Sequence, residues 1–174
     1  MGLTFAELSD TPLGPISFIA SDQGLRCTSF HTLSELKKHY LPNEVLPSLN
    51  GLETVKSLLK TMSAYLKGDR QSFDVEIDWH VISGFQRQVL ELTYSIPYGG
   101  LMTYGEIARL LHKPGAARSV GRALGGNPMP IIIPCHRVVG ADGSLRGFSG
   151  GINRKTFLLE LEGHRIKNDC VISG

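Results

Sequence analysis

One cysteine of this chain stands in a phrase that could do chemistry. Residues 131–133 are all isoleucine, and Pro134, Cys135, His136, Arg137 and Val138 follow. A thiol attacks as its thiolate, so a nucleophilic cysteine needs a neighbouring base or cation to lower its pKa. His136 and Arg137 are a base and a cation directly beside Cys135. The apolar run points to buried backbone, and Pro134 halts ladder pairing and fixes the approach to the thiol. Adjacency alone does not bring side chains together, and a cysteine beside a histidine is more often structural. The other thiols read as bland. Cys27 sits in a strand-like run as a small buried apolar residue. Cys170 sits in a polar tail, exposed and incidental. Three cysteines this far apart make no disulfide framework, so a reducing, cytoplasmic setting is expected.

A second constellation lies just upstream. Thr103 and Glu106 have the spacing of a capping box, and Ile107, Leu110 and Leu111 follow on one side of the helix it would open. Lys113-Pro114-Gly115 breaks that helix. A further helix over 116–124 would bury Ala117, Val120 and Leu124. Helix, short turn, helix is the spacing of a helix-turn-helix, and equally of a plain αα-hairpin. The outer face of the last helix carries Ala116, Arg118, Ser119, Gly121, Arg122 and Gly125. Small residues let another backbone approach closely, and two arginines among them suit phosphates or a narrow groove. Packing against another part of the same chain would also explain them.

The elements that must position these residues fall into two parts. The first reads as mixed α/β. Strand-like runs at 3–8, 16–20 and 25–30 include a hairpin turn at Asp22-Gln23-Gly24. Thr32 and Glu35 cap a helix whose Leu33, Leu36 and Tyr40 share a side. Pro42 and Pro47 bracket a loop. Leu52, Val55, Leu59, Met62 and Leu66 recur at helical spacing up to Gly68. Phe73, Val75 and Ile77 alternate with polar residues, which predicts a strand with one wet face. The character changes near Trp79, expected in the core. Beyond it the chain is helical and glycine-richer, and Ser83 with Gln86 opens a helix carrying Phe85, Val89 and Leu92. The expected domains are therefore 1–80 and 81–174.

Composition narrows the classes. The chain has 174 residues, a formal charge of +2, 41% hydrophobic and 20% charged residues. That is enough to bury a core, and it excludes a disordered tail. No apolar run approaches the roughly 20 residues that span a bilayer, and no secretory signal is visible at the start. The charge is unevenly spread: residues 1–78 hold 7 basic and 10 acidic side chains, residues 79–174 hold 11 and 6. A basic second half points mildly to a polyanion.

Five segments in register carry a resemblance. The stretch Asn127-Pro128-Met129-Pro130-Ile131-Ile132-Ile133-Pro134-Cys135-His136-Arg137-Val138 resembles the active-site signature of the O6-alkylguanine-DNA alkyltransferases. Thr103-Tyr104-Gly105-Glu106-Ile107-Ala108 looks like the opening of that family's first helix-turn-helix helix. Ala116-Ala117-Arg118-Ser119-Val120-Gly121 looks like its recognition helix. Phe148-Ser149-Gly150-Gly151 with Lys155, then Leu161-Glu162-Gly163-His164-Arg165, match its later segments. The likeness is close over about 84–166. Thr11-Pro12-Leu13-Gly14-Pro15 matches the family's N-terminal part more loosely.

The resemblance implies a fold and a reaction. An α/β N-terminal domain with a ribonuclease-H-like sheet would support a mainly α-helical C-terminal domain with a helix-turn-helix. Cys135 would take the alkyl group from O6-alkylguanine, and from O4-alkylthymine, irreversibly and once per chain. Glu162 and His136 would draw off its proton through a water, Asn127 would brace the turn, and Tyr104 would help the purine depart. The target base would be flipped from double-stranded DNA. Arg118 would fill the vacated stack, and Ala116, Ala117, Ser119, Gly121, Arg122 and Thr103 would face the minor groove. Val138, Phe148, Ser149, Gly150, Lys155 and Pro130 would form the base pocket. Phe148 departs from the tyrosine of several members, which keeps an apolar wall without its hydroxyl. Ser21 and Arg26 stand where some members hold zinc ligands, and Cys27 with His31 cannot complete a tetrahedral site. No metal, no cofactor, no membrane and a monomer are expected, in the cytoplasm, at the nucleoid or in a nucleus according to source. Three rivals are an alkyltransferase-like binding module, which lacks the acceptor cysteine, a helix-turn-helix regulator, which needs none, and a thiol hydrolase, which turns over.

Overall fold

The computed structural model describes residues 2–40 and 49–172. The loop bracketed by Pro42 and Pro47, and the side chain of Tyr40, lie outside the described residues. The chain divides into two compact units, Met1–Val81 and Ile82–Gly174.

In the first unit, β1 (Leu3–Leu8), β2 (Ile16–Ser21) and β3 (Gly24–Ser29) form an antiparallel sheet in the order β1-β2-β3. Helices α1 (Leu33–Tyr40) and α2 (Leu49–Leu66) follow. Ile16, Phe18, Ile19, Leu25, Val55, Leu58 and Met62 are buried. The Thr32–Glu35 box forms: the Thr32 amide donates to Glu35 Oε2 at 2.8 Å and the Glu35 amide to Thr32 Oγ1 at 3.3 Å. Cys27 is buried beside Ile19 and Leu36.

The strand expected at Phe73, Val75 and Ile77 is corrected. Their side chains do alternate half-buried with exposed neighbours. Among the described residues, however, its backbone makes only one bridge, Ile77 to Leu25. The Leu25 amide donates to Glu76 O and the Asp78 amide to Leu25 O. Gly24 explains how the segment comes so near: at φ +120° a Cβ there would lie 2.5 Å from Glu76 O. Alternating burial needs only one apolar side, whereas a ladder needs continuous register. Trp79 opens a 3-10 turn and is half-buried, short of the core expected for it.

The second unit mixes helices with small sheets. It contains α3 (Gly84–Tyr94), β4 (Met102–Thr103), α4 (Tyr104–Leu110), α5 (Ala117–Gly125), β5 (Val138–Val139), α6 (Ile152–Leu161), β6 (Arg165–Lys167) and β7 (Cys170–Ile172). β4 and β5 pair in parallel, and β6 with β7 antiparallel. Thr103 and Glu106 make the full capping box on α4. Ser83 caps α3 by position only, with no side-chain bond. Its expected partner Gln86 instead donates to Ala123 O and Gly126 O at the end of α5, at 3.1 and 2.8 Å. Leu110, expected inside, is 53% exposed, while Ile107 and Ala108 carry the buried side of α4. The polar tail is corrected too: Cys170 is half-buried in a hairpin strand. No described helix is long and apolar enough to cross a membrane.

Candidate active site

Cys135 opens a 3-10 turn, Cys135–Arg137, directly ahead of β5. The turn exists because Pro134 cannot continue a ladder and the Arg137 amide closes on Pro134 O at 2.9 Å. The segment before it is clamped by one side chain. Asn127 Nδ2 donates to Ile133 O at 2.9 Å and to Cys135 Sγ at 3.2 Å. Its Oδ1 accepts from the Met129 amide at 3.0 Å. Ile131 within the clamp has φ 73°. A β-branched residue there costs on the order of 1–3 kcal/mol, so the surrounding bonds impose the conformation.

Behind the thiol lies a buried charge cluster. His136 Nε2 is 2.9 Å from Glu162 Oε1 with both side chains fully buried. Glu162, at the end of α6, also accepts from Arg137 Nε at 2.9 Å, from an Arg137 terminal nitrogen at 2.8 Å and from the Gly99 amide at 3.0 Å. The other end of the guanidinium donates to Ile96 O. Because Nε2 faces an anion, it carries the ring proton, and Nδ1 is left as the basic nitrogen. Nδ1 is buried with no partner among the described residues. Burial pushes the His136 pKa down, against the pull of Glu162, so the ring rests neutral. Burial pushes the Cys135 thiol up, opposed by the Asn127 bond and by Lys155. The resting sulfur is therefore a thiol and the resting imidazole a neutral base.

Lys155 is fully buried on α6. Its Nζ donates to Val138 O at 2.6 Å and to Arg146 O at 3.2 Å. Desolvation lowers its pKa to about 8. Tyr104 donates weakly to the same Arg146 carbonyl at 3.4 Å. Burial, and then Cys135, raise the tyrosine's pKa, so it stays a donor.

An open cleft of about 560 Å³ separates α5 from the loop before α6. Tyr104, Ala117, Arg118, Gly121, Gly125, Phe148 and Ser149 line it, with Arg146 and Gly147, which the sequence did not single out. A Cβ at Gly121 would meet the Tyr104 ring at an ordinary 3.7 Å, and one at Gly125 would meet nothing within 4 Å. Packing within the described chain thus leaves room for a methyl group at both glycines.

The expected site residues divide accordingly. Asn127 is hydrogen-bonded to Cys135, and His136 to Glu162. Tyr104, Ala117, Arg118, Gly121, Phe148 and Ser149 share the cleft. Arg122 is exposed on α5, Ser119 is partly exposed, and Ala116 is the residue before its first turn. Thr103 is engaged in capping α4. Pro130, Val138 and Gly150 are buried, and Lys155 grips backbone rather than lining the cleft. Arg137, read as a cation beside the thiol, points to Glu162 instead. A sequence-distant acid 25 residues on leaves no spacing rule that could have found this pair.

A family model described as 6-O-methylguanine DNA methyltransferase, DNA binding domain, matches residues 84–164. The methylated-DNA--protein-cysteine methyltransferase of Mycobacterium tuberculosis is 39% identical over 167 residues, 94% of each chain. That of Methanosarcina acetivorans is 38% identical over 159 residues, 91% of this chain and 98% of the relative. The crystal structure of Mycobacterium tuberculosis OGT in complex with DNA is similar with a TM-score of 0.75 at 38% identity, covering 91% of each chain.

Proposed function

The chain belongs to the 6-O-methylguanine DNA methyltransferase family, and from that premise we propose that Cys135 is its alkyl acceptor. The chain acts on DNA in repair by direct reversal, transferring an alkyl group from the modified base to one of its own cysteines. The observation that carries the choice of Cys135 is the buried His136–Glu162 contact at 2.9 Å behind a thiol whose sulfur Asn127 already contacts.

The chemistry follows from the site. As the sulfur approaches the alkyl carbon on O6, its proton passes through a water to His136 Nδ1. The S–C bond forms as the C–O6 bond breaks in line. Glu162 offsets the imidazolium formed, and Arg137 holds the Glu162 carboxyl group in place. Tyr104 hydrogen-bonds to the departing purine, whose negative charge grows as the alkyl group leaves, and the purine anion then takes up a proton, balancing the one that His136 accepted from the thiol. The product is a thioether with no second step to release it, so each chain acts once.

Reaching O6 requires the base to leave the stack, at a cost of a few kcal/mol. Arg118 fills the gap, and the small face of α5, from Ala116 through Ser119 and Gly121 to Arg122, rests in the minor groove. Phe148 walls the pocket with Pro130 and Gly150 behind it. Ser149 and the carbonyls of Cys135 and Val138 read the guanine, and an O4-alkylthymine presents similar edges. On this reading α4 and α5 are a helix-turn-helix within a C-terminal domain, 81–174. The sheet of β1, β2 and β3 belongs to a ribonuclease-H-like supporting domain, 1–80. The protein works as a monomer without metal or cofactor, in whichever compartment holds the DNA.

The test is intact mass after incubation with an O6-methylguanine duplex. One methyl group per chain is expected for the native protein and for Cys170→Ala, and none for Cys135→Ala. Transfer that survives Cys135→Ala would overturn the site.

A further inference from the structure

The loop that walls the cleft is held by a part of the chain with no assigned role. The Leu145 amide donates to Asp169 O at 2.7 Å, and the Val171 amide donates to Gly143 O at 3.0 Å. Ser144 and Cys170 form an antiparallel bridge between these bonds. Residues 143–145 are therefore tied by a single bridge and its two flanking bonds to the outer edge of the β6–β7 hairpin. The hairpin turn is two-residue and tight, with Asn168 at φ 51° and Asp169 at φ 55°, which matches the twist of its strands. Because Lys167 pairs with Cys170 across that turn, the Val171 amide points outward, away from β6 and toward Gly143.

The side chains repeat the attachment. Leu145 is buried with Val139 and Leu159, and Ile166 and Val171 of the hairpin pack on that cluster. Gly143 sits at φ 76°, where a Cβ would come within 3.0 Å of Val171 O. The next residues after Leu145 are Arg146, Gly147, Phe148 and Ser149, the far wall of the cleft. At its other end the wall is tied to α6, where the Gly151 amide donates to Phe148 O at 2.8 Å and Arg154 to Gly150 O at 2.8 Å. Between these ties, the Arg146 carbonyl is gripped by Lys155 and Tyr104. A Cβ at Gly147 would meet nothing within 4 Å.

We propose that the β6–β7 hairpin is a positioning element of the transfer site: by pinning Gly143 and Leu145 it sets where Phe148 and Ser149 stand against the substrate base. This rests on the reading of the cleft as the base pocket. An ångström of misplacement at a reacting centre can cost about a hundredfold in rate, so loosening one end of the wall acts on the chemistry without touching it.

Two lesions on opposite sides of the joint test this. Val171→Pro removes the donor to Gly143, and Gly143→Ala forces a Cβ against Val171 O. Both are expected to slow alkyl transfer at saturating substrate by about tenfold to a hundredfold, equally for an O6-methylguanine duplex and for free O6-benzylguanine. Affinity for undamaged duplex should not change, and Val171→Ile, which keeps the amide, should transfer at the native rate. Hydrogen exchange at the Leu145 amide should quicken in Val171→Pro. Native rates in both lesions would overturn the proposal. So would a loss of undamaged-DNA affinity and melting temperature in step with the rate, since that marks general destabilisation. If the native protein takes no methyl group at all, the reading of the cleft fails, and unchanged exchange at Leu145 would then separately overturn the pinning.

Discussion

Glu162 accepts hydrogen bonds from His136, Arg137 and Gly99 while wholly out of water, and the energetics of that burial can be measured. Removing one member of a buried ion pair leaves the other charge uncompensated, at about 3–5 kcal/mol, whereas replacing both by apolar groups is often close to neutral. Arg137→Met is therefore expected to lower urea stability by that amount. The double variant Arg137→Met, Glu162→Leu should regain much of the stability while transferring the alkyl group slowly, because His136 has lost its carboxylate. Lys155 behaves in the opposite sense. Its pKa falls from 10.5 unfolded to about 8 folded. Between those values the unfolded chain binds the extra proton, so the stability of the native protein should rise from pH 8 to pH 10 relative to Lys155→Met. Urea midpoints at a series of pH values read this directly, and a constant difference would contradict it. Cys135, Asn127, His136 and Glu162 were legible because their segments share a family's motifs in order. Arg137 was visible but aimed wrongly, since sequence adjacency to Cys135 says nothing of a carboxylate 25 residues away.

At the level of elements, two identical spacing patterns gave different outcomes. Thr103 with Glu106 forms a reciprocal box on α4, while Ser83 with Gln86 forms none on α3. Thr103→Ala should accordingly cost about 1 kcal/mol in chemical denaturation, and Ser83→Ala should cost nothing resolvable. Gln86 is drawn away by the carbonyls that α5 leaves open at its C-terminal end, a partner 37 residues off in sequence. A local pattern states which bond is available, and tertiary competition decides whether it forms. The same holds for Phe73, Val75 and Ile77, whose alternation encodes one apolar side and not a ladder. It also holds for Leu110, which falls at helical spacing yet faces out where α4 ends. The hairpin of β6 and β7 was missed because polar residues such as Lys167, Asn168 and Asp169 carry no apolar period; its signal is the Asn-Asp pair, suited to positive φ.

For the molecule as a whole, the uneven charge can be turned into an affinity. The second half holds 11 basic against 6 acidic residues, and Arg118 and Arg122 are exposed on α5. Each arginine that neutralises a phosphate adds about one to the slope of log affinity against log salt. Arg122→Ala should reduce that slope by about one on undamaged duplex. Arg118→Ala should also slow repair in duplex DNA far more than reaction with free O6-benzylguanine, because only the duplex requires flipping. Equal losses on both substrates would remove the intercalating role. Finally, chain order is also order of synthesis. A ribosome adds about 5–20 residues per second, and Cys135, His136 and Glu162 all emerge ahead of Asp169 and Val171, which fasten the cleft wall at Leu145 and Gly143. On the proposed reading, the acceptor thiol is thus translated before the hairpin that positions its cleft wall. A chain cut short between those points would carry Cys135, His136 and Glu162 with one end of the wall untied, and on the same reading it should transfer the alkyl group slowly.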